Sequence, residues 1–193
     1  MPFKNTREQW GSVSKILHWL VVALVVAMAW LGLTMGGLPN GPDKIETYAL
    51  HKSIGITILG LVLVRLSWRM YAGAPLPLPG TPRLQARTAA LAHAGLYALL
   101  LAMPISGWMV NSTAGFPLQW FGLVNLPAIA GRSDDRRELA GAAHEWLFWA
   151  LVLLVALHVA AAFYHHVFVR DGTLARMLPR GWLREAPENR NGH

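Results

Sequence analysis

The chain has 193 residues, of which 54% are hydrophobic and 14% charged, and its formal net charge is +7. An average soluble domain carries roughly 25% charged residues, so this composition excludes an ordinary soluble protein and points to a single membrane domain. There is no cysteine, which removes disulfides, thiolate-held iron–sulfur clusters and C-x-x-C-H haem attachment, and the positive charge flanks the apolar runs, which assigns it to lipid headgroups and not to nucleic acid.

The first apolar run covers about 16–35 and follows Lys4, Arg7 and Lys15. It is too long for the core of a signal peptide and no small-x-small cleavage site follows, so it is expected to be a transmembrane helix. The stretch Gly36-Gly37-Leu38-Pro39-Asn40-Gly41-Pro42 cannot continue a helix. A second run covers about 51–71 and ends at a linker of polyproline character, Ala74-Pro75-Leu76-Pro77-Leu78-Pro79-Gly80. The third run covers about 88–110. The connection after it, 111–143, is the longest, and its apolar part 116–129 is expected to lie in the membrane interface and cap the bundle. The fourth run covers about 145–169. Each run is close to the roughly 20 residues that span a bilayer.

The pattern predicts an all-α fold: an integral membrane four-helix bundle, one domain over 1–193. Lysines and arginines set the orientation. Twelve of the 17 fall on one side: Lys4, Arg7, Lys15, Arg65, Arg69, Arg83, Arg87, Arg170, Arg176, Arg180, Arg184 and Arg190. Both termini are therefore expected in the cytoplasm, with Lys44, Lys52, Arg132, Arg136 and Arg137 on the periplasmic side.

Ionisable residues inside a membrane are rare, and each is a functional hypothesis. His18 lies near the cytoplasmic end of the first helix, His51 opens the second at its periplasmic end, and His144 starts the fourth. His158 follows His144 by fourteen residues, which is about 21 Å of rise and within about 40° of the same helix face. Depth then pairs His51 with His144 and His18 with His158. Each pair joins two helices, as when a haem is held inside a bundle. The expectation is a bundle holding two b-type haems, with His18, His51, His144 and His158 as axial ligands of the iron. Two imidazoles per iron leave no open position, which favours electron transfer. Pairs separated by the thickness of a haem cannot close a tetrahedral zinc site. Gly55, Ala161 and Ala162 supply the small residues that let a cofactor plate approach, although such residues also serve plain helix packing.

The motifs Lys15-Ile16-Leu17-His18-Trp19-Leu20, His51-Lys52-Ser53-Ile54-Gly55, His144-Glu145 and Leu157-His158-Val159-Ala160-Ala161-Ala162-Phe163-Tyr164-His165-His166 resemble the bacterial cytochrome b-561 family. So does the ending Asp171-Gly172-Thr173-Leu174-Ala175-Arg176-Met177-Leu178-Pro179, and the likeness runs from Thr6 to Pro179. The resemblance implies the same histidine pairing. It also implies kinship with superoxide oxidase, which passes electrons from superoxide to ubiquinone through two haems in the bacterial inner membrane. The expected partners are then membrane lipid, quinone, and superoxide or another periplasmic electron donor, while the oligomeric state stays open. The alternative is an anchor subunit that relays electrons between a separate dehydrogenase or reductase and the quinone pool.

Other polar residues keep two readings each. His93 either lines a quinone pocket or touches a haem propionate, or makes an ordinary interhelical hydrogen bond. His165, seven residues past His158, is a quinone donor or a solvated interfacial group. Arg65 and Arg69 either snorkel or pair with inner propionates. Lys52 either pairs with outer propionates or joins Arg132, Arg136 and Arg137 in drawing an anion to the periplasmic mouth, against the acids Asp134, Asp135, Glu138 and Glu145. His166 reads as interfacial and His193 as tail. Trp19, Trp68, Trp108 and Trp146 read as an interface belt, and Trp30 as packing or haem contact.

Overall fold

Four long helices dominate the computed structural model, which describes residues 2–179 and Trp182: α1 (Ser12–Thr34), α2 (Pro42–Ala72), α3 (Arg83–Thr113) and α4 (Asp134–Tyr164). A 3-10 turn (Met35–Gly37) follows α1, a wider π turn (His165–Val169) follows α4, and a last 3-10 turn covers Ala175–Met177. All four helices are long and apolar enough to cross a membrane. Arg180, Arg184, Arg190 and His193 lie outside the described residues.

The last three helices start well before their apolar runs. Pro42 occupies the first turn of α2 with Asp43 beside it, an arrangement that suits an N-terminus by geometry and by charge. Ser133 caps α4 by accepting from the Arg136 N–H, and Asp134 and Asp135 complement the dipole of its first turn. At 31 residues each, α2, α3 and α4 are about 46 Å long, against a hydrocarbon core of about 30 Å. Their ends project into the headgroup region, where hydropathy gives no signal. His51 and His144, which the apolar runs put at helix starts, stand well inside α2 and α4.

The apolar stretch after α3 forms a hairpin, β1 (Leu118–Trp120) antiparallel to β2 (Val124–Leu126). Two hydroxyls of α2 hold it. Phe121 N–H donates to Ser53 Oγ at 2.9 Å, and Trp120 Nε1 donates to Thr57 Oγ1 at 3.1 Å. The first of these bonds helps to fix Phe121 at φ 50°, a conformation that bulky residues rarely adopt.

At the other end, three segments are tied together by hydrogen bonds. Leu76 N–H donates to Arg7 O at 2.9 Å, and Arg176 donates to Glu8 O and, at 3.0 Å, to Leu76 O. The buried Lys15 ammonium donates to Leu178 O at 2.7 Å, and Trp19 Nε1 donates to Met177 O at 3.0 Å. Trp68 and Trp108 likewise bond Ser14 Oγ and Pro127 O, so these three tryptophans direct their N–H groups at protein and not at headgroups. Trp30 is 71% exposed and faces outward.

The packed centre takes Val21 from α1, Ile58 and Val62 from α2, Leu100 from α3 and Leu151 from α4. Most other apolar side chains of the helices point outward, as a lipid-facing surface requires.

Gly11 lies under the backbone of the N-terminal segment: a Cβ there would stand 2.5 Å from Lys4 C and Phe3 O. Gly11→Ala must push that segment off α1 and weaken the bonds that Gly11 N–H and Ser14 Oγ donate to Asn5 Oδ1. The expected cost is about 1–3 kcal/mol, seen as a melting temperature several degrees lower in detergent. Unchanged melting would show that the segment is not packed there.

Candidate functional site

The four histidines meet in two facing pairs at two levels of the bundle. His18 of α1 faces His158 of α4 with ring centroids 6.4 Å apart and planes at 71°. His51 of α2 faces His144 of α4, also at 6.4 Å, with planes at 74°. Leu151 of the packed centre stands seven residues from each α4 histidine, so an apolar layer separates the two levels.

The helix packing leaves room between the rings. α1 packs on α2, α2 on α3 and α3 on α4, whereas among the described residues α4 makes no comparable backbone approach to α1 or α2. The imidazoles reach across that opening. A cavity of about 930 Å³ occupies its upper part, lined by His51, His144, Lys52, Gly55, Met103 and Leu118 among others. That volume falls within the usual range for small-molecule and cofactor sites.

Glycines make the seats for this pair. A Cβ on Gly32 would come 3.4 Å from His51 Cε1, and one on Gly107 would come 3.1 Å from His144 Cε1. Gly55, expected to admit a cofactor, lines the cavity and faces Met28 Cε. His144 Nδ1 is 2.8 Å from Ser106 Oγ. By contrast, His18 Nδ1 and His51 Nδ1 are buried with no hydrogen-bond partner among the described residues. A buried unpaired nitrogen is costly in an apolar medium, so packing among the described residues leaves these two rings unsatisfied. Among the described residues no three histidine or carboxylate groups converge as a zinc site would need.

His93 of α3 stands beside the lower pair, 5.4 Å from His158 between centroids. Arg65 lies over the Tyr97 ring at 5.4 Å, and Arg69 lies over Trp10 at 5.5 Å. These cation–π contacts hold both guanidinium groups near that level. Lys52, next to His51, donates to Asn111 Oδ1 at 3.2 Å and Pro117 O at 3.4 Å, which ties the upper mouth to the hairpin connection.

His165 forms a separate cluster just past α4. Its Nδ1 is 2.5 Å from Asp171 Oδ2, and its Nε2 is 2.8 Å from the Gln85 amide nitrogen. Burial by itself raises the Asp171 carboxyl, but hydrogen bonds from Thr173 and His165 more than offset this and hold it below the usual carboxylate range. Gln85 and Ser106 give no hint of these contacts in the sequence, since a polar residue in a helix signals nothing about its partner. Asp171 does offer one, standing six residues beyond a histidine at a helix end.

The sequence signature of prokaryotic cytochrome b561 matches residues 9–180. "Cytochrome b561 homolog 2" of Escherichia coli K12 is 36% identical over 185 residues, covering 92% of this chain and 95% of that protein. "Probable superoxide oxidase CybB" of Yersinia pestis is 30% identical, covering 85% of this chain and 92% of the relative. "Cytochrome b561 homolog 1" of Escherichia coli K12 is 32% identical, with 85% and 93% coverage. With four membrane-crossing helices and histidines facing one another inside them, the chain belongs to the prokaryotic cytochrome b561 family, multi-pass proteins of the bacterial inner membrane that carry b-type haem and transfer electrons.

Proposed function

We propose that the chain carries electrons across the membrane by way of two b-type haems, accepting them from superoxide and delivering them to ubiquinone. One haem would sit between His18 and His158, the other between His51 and His144. The carrying observation is the equal 6.4 Å spacing of the two pairs. Rings that face one another at this separation leave a gap between them in which His18 with His158, and His51 with His144, would each hold a haem iron. Bound haem supplies a one-electron carrier at each level.

The charge distribution supports cytoplasmic termini, which puts the His18–His158 pair near the cytoplasm and the His51–His144 pair near the periplasm. Two superoxide anions each lose one electron and leave as dioxygen, and one quinone takes both electrons and two protons to become quinol. Lys52, in the wall of the outer cavity, offers the positive charge that an incoming anion or a propionate calls for. Arg65, held against Tyr97 beside His93, offers the same to inner propionates. The name of the Yersinia relative supports superoxide as donor.

His165 is the proposed quinone contact. Asp171 accepts a hydrogen bond from His165 Nδ1–H and fixes the ring, and the Gln85 amide donates to Nε2, the nitrogen that would exchange a proton with a quinone that takes the place of the Gln85 amide.

A pyridine haemochrome assay of the detergent-purified protein is expected to give two haems per chain. His51→Ala or His144→Ala loses one, and His18→Ala or His158→Ala loses the other; a single haem, or none, would overturn the pairing. Gly107→Val pushes its side chain into the His144 ring and is expected to remove the outer haem alone. Supplied with superoxide and a short-chain ubiquinone, the protein is expected to form one quinol for every two superoxide anions. His165→Ala slows that step by about 10²-fold with both haem spectra unchanged. Intact haems with no consumption of superoxide would favour the anchor subunit that relays electrons for a separate dehydrogenase or reductase.

A further inference from the structure

Ser106 has no part in the function just described, yet its hydroxyl meets the one proposed outer ligand whose second nitrogen is partnered. Ser106 Oγ lies 2.8 Å from His144 Nδ1 and 2.8 Å from its own Met103 O. A hydroxyl has one proton to give. The Met103 carbonyl can only accept, so that proton goes there, and the His144 Nδ1–H is left to the Ser106 oxygen, with the Met103 carbonyl beside it as a second acceptor. The ring is thereby held as the Nδ1–H tautomer with Nε2 unprotonated. Gly107, the next residue, gives this ring a flat seat: a Cβ would stand 3.1 Å from Cε1, 3.5 Å from Nδ1 and 3.8 Å from Nε2. Two consecutive residues of α3 therefore fix both the tautomer and the position of a histidine on α4.

We infer that Ser106 is a positioning residue that lowers the reduction potential of the outer haem relative to the inner one. This rests on the reading of His144 as an axial ligand. A hydrogen bond from the far nitrogen of a ligating histidine makes the ring a stronger donor. Stronger donation favours the oxidised metal, and second-shell hydrogen bonding is one of the protein's levers on haem potential. At the opposite ring of the same pair, His51 Nδ1 has no such acceptor among the described residues, and neither does His18 Nδ1 at the inner pair. The asymmetry places the stronger donor at the outer level, so electrons entering from the periplasm run downhill toward His18 and His158. Ser106 thus helps to bias an electron shared by the two haems toward the inner one.

The test is a redox titration of the haem-loaded protein and its Ser106→Ala variant. The expected result is two haems retained, with one midpoint potential raised by the equivalent of a several-fold to tenfold change in the equilibrium constant, tenfold being about 59 mV for one electron. The other potential stays in place, and Ser106→Thr, which keeps the hydroxyl, restores the first. If the alanine variant yields no haem-loaded protein, Ser106→Cys, whose sulfur is a weak acceptor, is expected to raise the same potential. Unchanged potentials in whichever of these variants retains both haems would overturn the inference, as would a shift confined to the haem that His18→Ala removes. Retention of both haems in His144→Ala would instead overturn the ligand reading on which it stands.

Discussion

A nitrogen inside the hydrocarbon of a bilayer has no water to bond, so an imidazole placed there must meet another group or pay for its isolation. In this chain four such rings face one another across an interhelical gap, and the gap shapes the bundle around them. Lipid tails are as apolar as leucine, so nothing in the membrane drives α4 to close on α1 and α2. The opening persists because polar rings and glycine seats line it, while among the described residues α3 is the helix that packs along α4. Val21, Ile58, Val62, Leu100 and Leu151 close the middle of the bundle and leave space at the histidine levels.

The two ends of the bundle are finished differently. At one end, carbonyls of the segments around Glu8, Leu76 and Met177–Leu178 accept from Lys15, Trp19 and Arg176 and bind three stretches of chain into one cover. On the far side a two-stranded hairpin does the same work through Ser53 and Thr57. Both covers spend polar groups where the helices leave the hydrocarbon, and both leave the helix centres free for apolar packing. Such a frame suits a membrane protein that transfers electrons without large motion.

Much of this was readable beforehand for a physical reason. Hydropathy over about 20 residues measures the cost of crossing lipid, so the runs at 16–35, 51–71, 88–110 and 145–169 located four helices. The periodicity of α4 placed His144 and His158 on one face because fourteen residues bring a helix nearly back to its starting direction. The start of α4 was hidden, since Asp134, Asp135, Arg136, Arg137 and Glu138 are helical but not apolar. The hairpin was hidden as well: its two strands have three residues each, too few for an alternating pattern, and its turn depends on a bond from Phe121 to a distant serine. Ser106 and Gln85 were out of reach altogether, because their partners, His144 and His165, lie 38 and 80 residues away and are set by how helices pack.

One helix contributes to both levels. α4 supplies a ring to each facing pair, and it is the last of the four to leave the ribosome. A nascent chain that has already inserted α1, α2 and α3 holds His18 and His51 with nothing opposite them. In the proposed arrangement neither cofactor site is complete before α4 is made, and both become complete in the same event, when α4 docks on α3. Loading is thereby deferred until α4 has been made and has docked, and a chain that still lacks it offers no bis-histidine site.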